Sequence, residues 1–398
     1  MSKPLRGSEM SSCVARAKDP TRYARAMAPL TLRGVTLKNR VVLAAMGLDM
    51  AEIDGSFSQD LAAFYRGVIA GGTGTIILSN ASVSAQSALL PKALKLLNDD
   101  HVQALAPFIA EAARQDVVIG VQLQHYGGQG TTHLTRRRPT LSPSGIGCNS
   151  LRKLDPFYRV RAMTEEDLHI VRQEFVDAAK RAVAAGARLV QLQASNGYLL
   201  SSFLSKATNQ RSDAYGGDAV KRARFVIDVV QGVRAAIGDD VVLGLRIGLN
   251  DYLGDEGLVP ADLDPVIPML EEAGVDLFEA SFCVADTFSK LSNNTPELRA
   301  ELTAQVKRFR ARARVPVGFA AFVGSLAEGC ALIEDEVVDF IAMARALLAD
   351  NDLVAKELAG REDEVHRCLW DGQCFKDKYN PRFQRVHCCV NPKYLRPA

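Results

Sequence analysis

The sequence predicts a (β/α)8 barrel, an α/β fold, with a short cysteine-containing C-terminal extension. Three observations predict it. Eight short apolar runs recur along the chain, at Val41–Ala44, Thr75–Leu78, Val117–Gln122, Leu189–Gln193, Val242–Arg246, Leu277–Ser281, Pro316–Phe319 and Phe340–Ala342. They are rich in β-branched residues and largely lack polar alternation, as parallel strands buried on both faces do. Longer segments with helical periodicity separate them, and alternation of this kind is the pattern of the barrel. Finally, no Gly-x-Gly-x-x-Gly joins a strand to a helix, which argues against a doubly wound open sheet.

The helical segments carry their own punctuation. Thr164–Ala185 opens on Thr164-Glu165-Glu166-Asp167, a cap and an acidic first turn, and Gly186 closes it. Apolar residues at Leu168, Val171, Phe175, Ala178 and Ala179 mark one face. Val220–Ile237, Pro260–Ala273 and Pro296–Arg312 read as helices on the same grounds. The polar, Gly-, Pro- and Arg-rich stretch from His125 to Arg161 follows the third strand and is expected to be an elaborated loop over the barrel mouth. Its Arg136-Arg137-Arg138 run reads either as a solvated loop or as a site for an acidic substrate group.

The chain has 398 residues, 47% hydrophobic and 24% charged, with a net charge of +2. That balance gives no reason to expect nucleic acid or a membrane surface as a partner. No apolar run approaches the roughly 18 residues of a membrane helix. Residues 1–26 mix charges with small residues, have no apolar core, and read as a flexible lead-in rather than a secretory signal. Residues 27–360 are assigned to the barrel and 361–398 to a Cys-rich tail holding Cys368, Cys374, Cys388 and Cys389. With no export signal, a cytoplasmic location is expected, and metal or cluster ligation is favoured over disulfides.

In such barrels the reactive face lies at the C-terminal strand ends. There the sequence places Gln122, Gln124 and His125 after strand three, and Gln193, Ser195, Asn196 and Tyr198 after strand four. Arg246 ends strand five and Arg345 follows strand eight. Each alone can simply cap a strand. Together they imply a polar occupant, since a packed core gains nothing from them.

At this point the residues resemble the Old Yellow Enzyme family of NADH:flavin oxidoreductases. Asn39-Arg40-Val-Val-Leu-Ala-Ala45-Met46 is similar to its first-strand signature, and its continuation to Ser56 looks like the enoate reductase and 2,4-dienoyl-CoA reductase branch. Gln122-Leu-Gln-His125-Tyr-Gly-Gly resembles the third strand. Most specific are Asn196-Gly-Tyr-Leu-Leu, the run Asn209-Gln-Arg-Ser-Asp-Ala-Tyr215-Gly-Gly217, and Ala344-Arg345-Ala-Leu-Leu-Ala-Asp350.

The resemblance implies FMN, with its phosphate at Ala321 and Ala344-Arg345. It places Gln122 on the pyrimidine ring, Arg246 at the N1–C2=O edge, and Ala45, Met46 and Gly47 along the isoalloxazine. The chain departs from the family at Ala45 (usually Pro), Asn80 (usually Ala), and Ala321 and Ala344 (usually Gly). The family's substrate-binding His-x-x-His or His-x-x-Asn motif reads Gln193-Ala194-Ser195-Asn196 here, with two amides able to donate to a carbonyl oxygen. Tyr198 matches the family's proton donor, a phenol suited to protonating an enolate. Asp49 and His125 are further candidates for substrate contact.

The implied activity is reduction of an activated C=C bond in a small molecule, of enone, enoate or enoyl type. A dehydrogenase or demethylase running the opposite way, and a flavin-binding isomerase or lyase, are the alternatives. In the branch a four-cysteine [4Fe–4S] segment and a nicotinamide domain follow the barrel. Here Asp371 stands where the second cysteine falls, while Cys388-Cys389-Val-Asn391-Pro392 keeps the final motif. A [4Fe–4S] cluster, zinc with His366 or His387, and a tail that binds nothing all remain open readings. With no nicotinamide domain before Ala398, electrons are expected from NAD(P)H at the FMN, from a separate reductase partner, or from the substrate. A homo-oligomer is expected.

Overall fold

The computed structural model describes residues 21–377, 383 and 385–397. Eight parallel strands form its centre: β1 (Val41–Leu43), β2 (Thr75–Ile77), β3 (Val118–Gln124), β4 (Leu189–Ala194), β5 (Val242–Gly248), β6 (Leu277–Ser281), β7 (Val317–Phe319) and β8 (Phe340–Met343). Each pairs with the next in chain order, and β8 pairs back onto β1, so the sheet closes into a barrel. All eight coincide with the apolar runs of the sequence.

The helices follow: α1 (Gln59–Ala70), α2 (Asp99–Ala113), α3 (Glu165–Ala184), α4 (Ala219–Ile237), α5 (Val266–Glu272), α6 (Pro296–Arg310), α7 (Leu326–Glu334) and α8 (Leu353–Leu358). Most start on a side chain that accepts from the first turn: Ser58, Asn98, Thr164, Asp218, Thr295 and Ser325. At α3 the reciprocal box is complete. Thr164 Oγ1 accepts from the Asp167 N–H at 3.2 Å, and Asp167 accepts from the Thr164 N–H at 2.8 Å.

One helix differs from expectation. Pro260–Ala273 splits into a short 3-10 turn, Pro260–Leu263, and α5. Pro265 has no N–H with which to continue the ladder. No helix among the described residues is long and apolar enough to cross a membrane.

Two cores hold the barrel. The larger lies between strands and helices, and the smaller fills the barrel interior at its N-terminal end with Val42, Leu189, Val242, Leu277 and Phe340. Gly318 makes this layer possible, because a Cβ there would lie 2.1 Å from the Phe340 ring. A hairpin of Leu30–Leu32 and Val35–Leu37 plugs this end, with Val35 and Leu37 buried against the layer. Its two-residue loop, Arg33-Gly34, has φ of 45° and 73°, the twist that suits tight hairpins.

Toward the C-terminal end the interior turns polar. Gln122, Gln191, Gln193, Arg246 and Glu279 replace the apolar layer, so that end cannot pack dry. The β3–α3 excursion folds on itself there, with strands Thr140–Ser142 and Val160–Ala162 pairing and a helix at Asn149–Leu154 between them. Arg136, Arg137 and Arg138 lie exposed on it.

Of the lead-in expected over residues 1–26, positions 1–20 lie outside the described residues. Tyr23 and Ala26 are buried in the larger core, so packing begins ahead of the boundary expected at residue 27. The C-terminal segment lies across the barrel mouth rather than apart from it. The Val386 N–H donates to Leu48 O at 3.0 Å, Asn391 Nδ2 donates to Leu348 O at 2.8 Å, and Phe375 stacks on Phe288 with centroids 4.0 Å apart.

Candidate active site

A cavity opens at the C-terminal ends of the strands, with about 1160 Å³ of non-atom space including the solvent at its mouth. Apart from Asp49 and His125, every residue assigned above to flavin, substrate or proton donor lines it. They arrive from separate strands: Ala45, Met46 and Gly47 beyond β1, Asn80 beyond β2, Gln122 on β3, and Gln193 on β4 with Asn196 and Tyr198 just past it. Arg246 comes from β5, Ala321 from beyond β7, and Ala344 and Arg345 from beyond β8.

The backbone at this rim is strained. Asp49, Asn196, Tyr252, Cys283, Phe322 and Trp370 all have positive φ, between 55° and 68°. Such conformations cost of order 1–3 kcal/mol each and gather where a site is held in shape by its surroundings. Ala321 and Ala344, where glycine is the family norm, are not among the positive-φ residues, so their side chains cause no backbone conflict.

Arg246 anchors one side. It lies 3.1 Å from Glu279 and donates to Ala45 O at 3.2 Å, while its Nε is buried with no partner among the described residues. Gln122 Nε2 donates to Gln191 Oε1 at 2.6 Å, and Gln191 Nε2 donates to Glu279 Oε2 at 3.0 Å. Gln124 Nε2 is also buried without a partner and also faces the cavity. Buried donors left unpaired are costly, so this wall is built for a polar occupant.

At the opposite side the Arg345 guanidinium lies 4.7 Å from the Trp370 ring centroid and 5.4 Å from that of Phe322, and donates to Leu291 O at 3.0 Å. Burial lowers its pKa, because desolvation disfavours the cation. It opens the short helix Arg345–Ala349, whose first N–H groups have no intrahelical acceptor.

Asn196 departs from expectation. Its Nδ2 donates to Phe282 O at 2.9 Å and Cys283 O at 3.3 Å, so both amide hydrogens are engaged. The expected two-amide clamp on one substrate oxygen is therefore not formed. Asn196 instead ties the β4 end to the β6 end, and its oxygen can accept from Ser281 Oγ at 3.4 Å. Gln193 uses only its oxygen, accepting from Ser195 Oγ at 2.8 Å, which leaves its amide hydrogens for the cavity.

Tyr198 packs edge-on against Tyr126 with centroids 5.6 Å apart. Burial pushes its phenol up to about 12, partly offset by the Arg246 cation and the neighbouring Gln124 amide. It is protonated throughout the neutral range. Asn80 Nδ2 donates to Tyr126 Oη at 2.8 Å, so the family departure at Asn80 buttresses this aromatic pair.

His125 and Asp49 do not line the cavity. Asp49 accepts from the Lys92 N–H at 2.6 Å. His125 is buried, its Nδ1 accepts from the Gly127 N–H, and burial lowers its pKa from 6.5 to about 3. Because the folded value is depressed, the neutral ring stabilises the fold fully above about pH 6.5, and this is lost as pH falls toward 3. At pH 5 the loss is about 2 kcal/mol by linkage. Denaturant unfolding at neutral pH and near pH 5 is expected to show that component in the parent and not in His125→Asn.

The cysteines share a recess beside Arg345, lined by Cys368, Cys374, Cys388 and Cys389 with Asp371, and Cys374 also reaches the main cavity. Yet among the described residues no three His, Cys, Asp or Glu groups are placed to hold a metal ion. Burial pushes the Cys374 thiol up to about 12 and raises Cys368 as well. His366 is turned to Asp350, 3.7 Å away. Among the described residues the arrangement fits neither a four-thiolate [4Fe–4S] cage nor tetrahedral zinc.

The profile of the NADH:flavin oxidoreductase / NADH oxidase family matches residues 26–364. The chain belongs to this family. Its members are FMN oxidoreductases, and this chain is such an enzyme. It is 28% identical over 368 residues to an NADH oxidase of Thermoanaerobacter brockii, covering 90% of this chain and 54% of that protein. It is 30% identical over 326 residues to an NADPH dehydrogenase of Bacillus velezensis, covering 81% of this chain and 90% of that protein. A 2-naphthoyl-CoA reductase structure shares the fold at a TM-score of 0.86 and 22% identity, over 94% of this chain and 57% of that one. The chain thus spans about half the length of some relatives and nearly all of others.

The family's FMN suits this cavity. The unpaired Arg246 Nε and Gln124 Nε2 offer donors to a polar ring, and Arg345 offers a cation for a phosphate at the far side.

Missing from the sequence reading were Gln191 and Glu279 beneath the cavity, and the walls Phe282, Phe288, Leu291 and Phe375. Glu279 had a legible signal: a carboxylate inside an otherwise buried strand, Leu-Phe-Glu-Ala-Ser. The Phe288–Phe375 stack joins distant segments and had none.

Proposed function

We propose that this enzyme reduces an electron-poor C=C bond of a small molecule, with NAD(P)H as the electron source. The observation that carries the reading is the convergence of Gln193 and Tyr198 on the same cavity wall as Arg246 and Gln122, with Arg345 across it. FMN, when bound, would be held by Gln122, Arg246, Ala321, Ala344 and Arg345 and would supply the hydride.

The chain's own residues do the rest. Gln193 donates an amide hydrogen to the substrate's carbonyl oxygen and draws electron density from the conjugated alkene. Tyr198 holds its proton at neutral pH and delivers it to Cα as negative charge develops there. Asn196 does not touch the substrate in this reading; it keeps the β4 and β6 ends in register. The phenyl walls at Phe288 and Phe375 exclude water from the reacting carbons.

The test is an anaerobic titration. Bleaching of the flavin by NAD(P)H, followed by recovery of the oxidised spectrum on adding an enone, supports the reading. Bleaching by a saturated substrate, with none by NAD(P)H, would assign the reverse reaction. A separate reductase becomes necessary if NADH and NADPH both fail while dithionite-reduced enzyme still turns over the enone.

A further inference from the structure

We propose that Glu279 is a positioning residue that sets the charge presented by Arg246 at the cavity and so tunes the reduction potential of bound FMN. The proposal rests on the FMN reading above.

Glu279 has no solvent exposure and sits inside the barrel on β6, in register with Arg246 on β5. Its Oε1 lies 3.1 Å from Arg246 Nη1, and its Oε2 accepts from Gln191 Nε2 at 3.0 Å. Gln191 in turn accepts from Gln122 Nε2 at 2.6 Å. A carboxylate can only accept hydrogen bonds, so it fixes the polarity of the whole row. Gln191 must turn its nitrogen to Glu279 and its oxygen to Gln122. Gln122 must then turn its nitrogen inward, which leaves its own oxygen without a protein partner among the described residues. One buried charge therefore orders both residues assigned to the pyrimidine side of the ring.

The electrostatic consequence has a sign. Arg246 with a carboxylate directly behind it acts on the cavity as a dipole, and its field falls off faster than that of a lone cation. Reduced flavin gathers negative charge at its pyrimidine edge, and nearby protein charge tunes that state. Glu279 thus holds the potential below the value that Arg246 alone would give. Replacing it with an uncharged residue of the same shape unmasks the cation and favours the reduced flavin.

The experiment loads parent, Glu279→Gln and Glu279→Asp proteins with FMN and measures each potential by equilibrium reduction against a reference dye. Glu279→Gln is expected to shift the balance toward reduced flavin about tenfold, which is about 30 mV upward for a two-electron couple. Glu279→Asp keeps the charge but draws it back by a methylene, so a smaller upward shift is expected. Should Glu279→Gln not fold, Glu279→Asp alone decides. An unchanged or lowered potential in a folded, FMN-loaded variant overturns the proposal and leaves the FMN reading standing. A parent protein that takes up no FMN overturns both.

Discussion

Replacing Tyr198 by Phe is expected to lower turnover of an activated alkene by about 10²- to 10⁴-fold, the usual worth of a positioned general acid. The ring contact with Tyr126 survives the change, so the fold and the FMN content are expected to stay as in the parent. Reduction by NAD(P)H does not need a proton at Cα and is expected to keep its rate. The loss should therefore appear only in the step where the alkene is consumed, visible by following flavin reoxidation in stopped flow. Reoxidation at the parent rate would remove Tyr198 from the chemistry. Since its phenol lies near 12, the parent's own oxidative step should show no titration of Tyr198 across the neutral range.

The second large effect concerns stability. Arg246→Leu leaves Glu279 buried without its counter-charge and breaks the bond to Ala45 O. Loss of one partner from a buried ion pair costs about 3–5 kcal/mol, because the remaining charge is stranded. Arg246→Leu combined with Glu279→Leu removes both charges and is expected to recover most of that loss. Denaturant midpoints of the parent, the two single variants and the double variant measure the coupling. A single Arg246→Leu protein as stable as the parent would show that the pair does not hold the barrel interior together. Neither protein carrying Arg246→Leu, the single or the double variant, is expected to retain FMN as tightly, since Arg246 faces the cavity.

The barrel was legible because its strands are buried on both faces. Val41–Leu43, Thr75–Ile77 and Phe340–Met343 are only three or four residues long, yet each is buried throughout and stands out from the amphipathic helices around it. The α5 region was misread for the converse reason: apolar spacing continued across Pro265, and periodicity cannot register a missing N–H. The candidate site was legible at strand ends, where polar residues interrupt apolar runs. It was less legible where partners are chosen in space. Nothing in Gln193-Ala-Ser195-Asn196 tells that Asn196 spends both amide hydrogens on the Phe282 and Cys283 carbonyls. The cysteine segment shows the same limit. Its motif suggests ligation, but whether four sulfurs meet depends on the fold of the segment, and Phe375, Trp370 and Val386 are committed to the cavity and its rim instead.

The central claim is that one FMN sits in the cavity at the C-terminal ends of the strands. Flavin content measured by visible absorption, on protein reconstituted with FMN and freed of excess by gel filtration, tests it most directly. The account predicts one FMN per chain in the parent and a marked loss in Arg345→Ala, whose guanidinium faces the phosphate side. A parent chain that retains no FMN after reconstitution would contradict it.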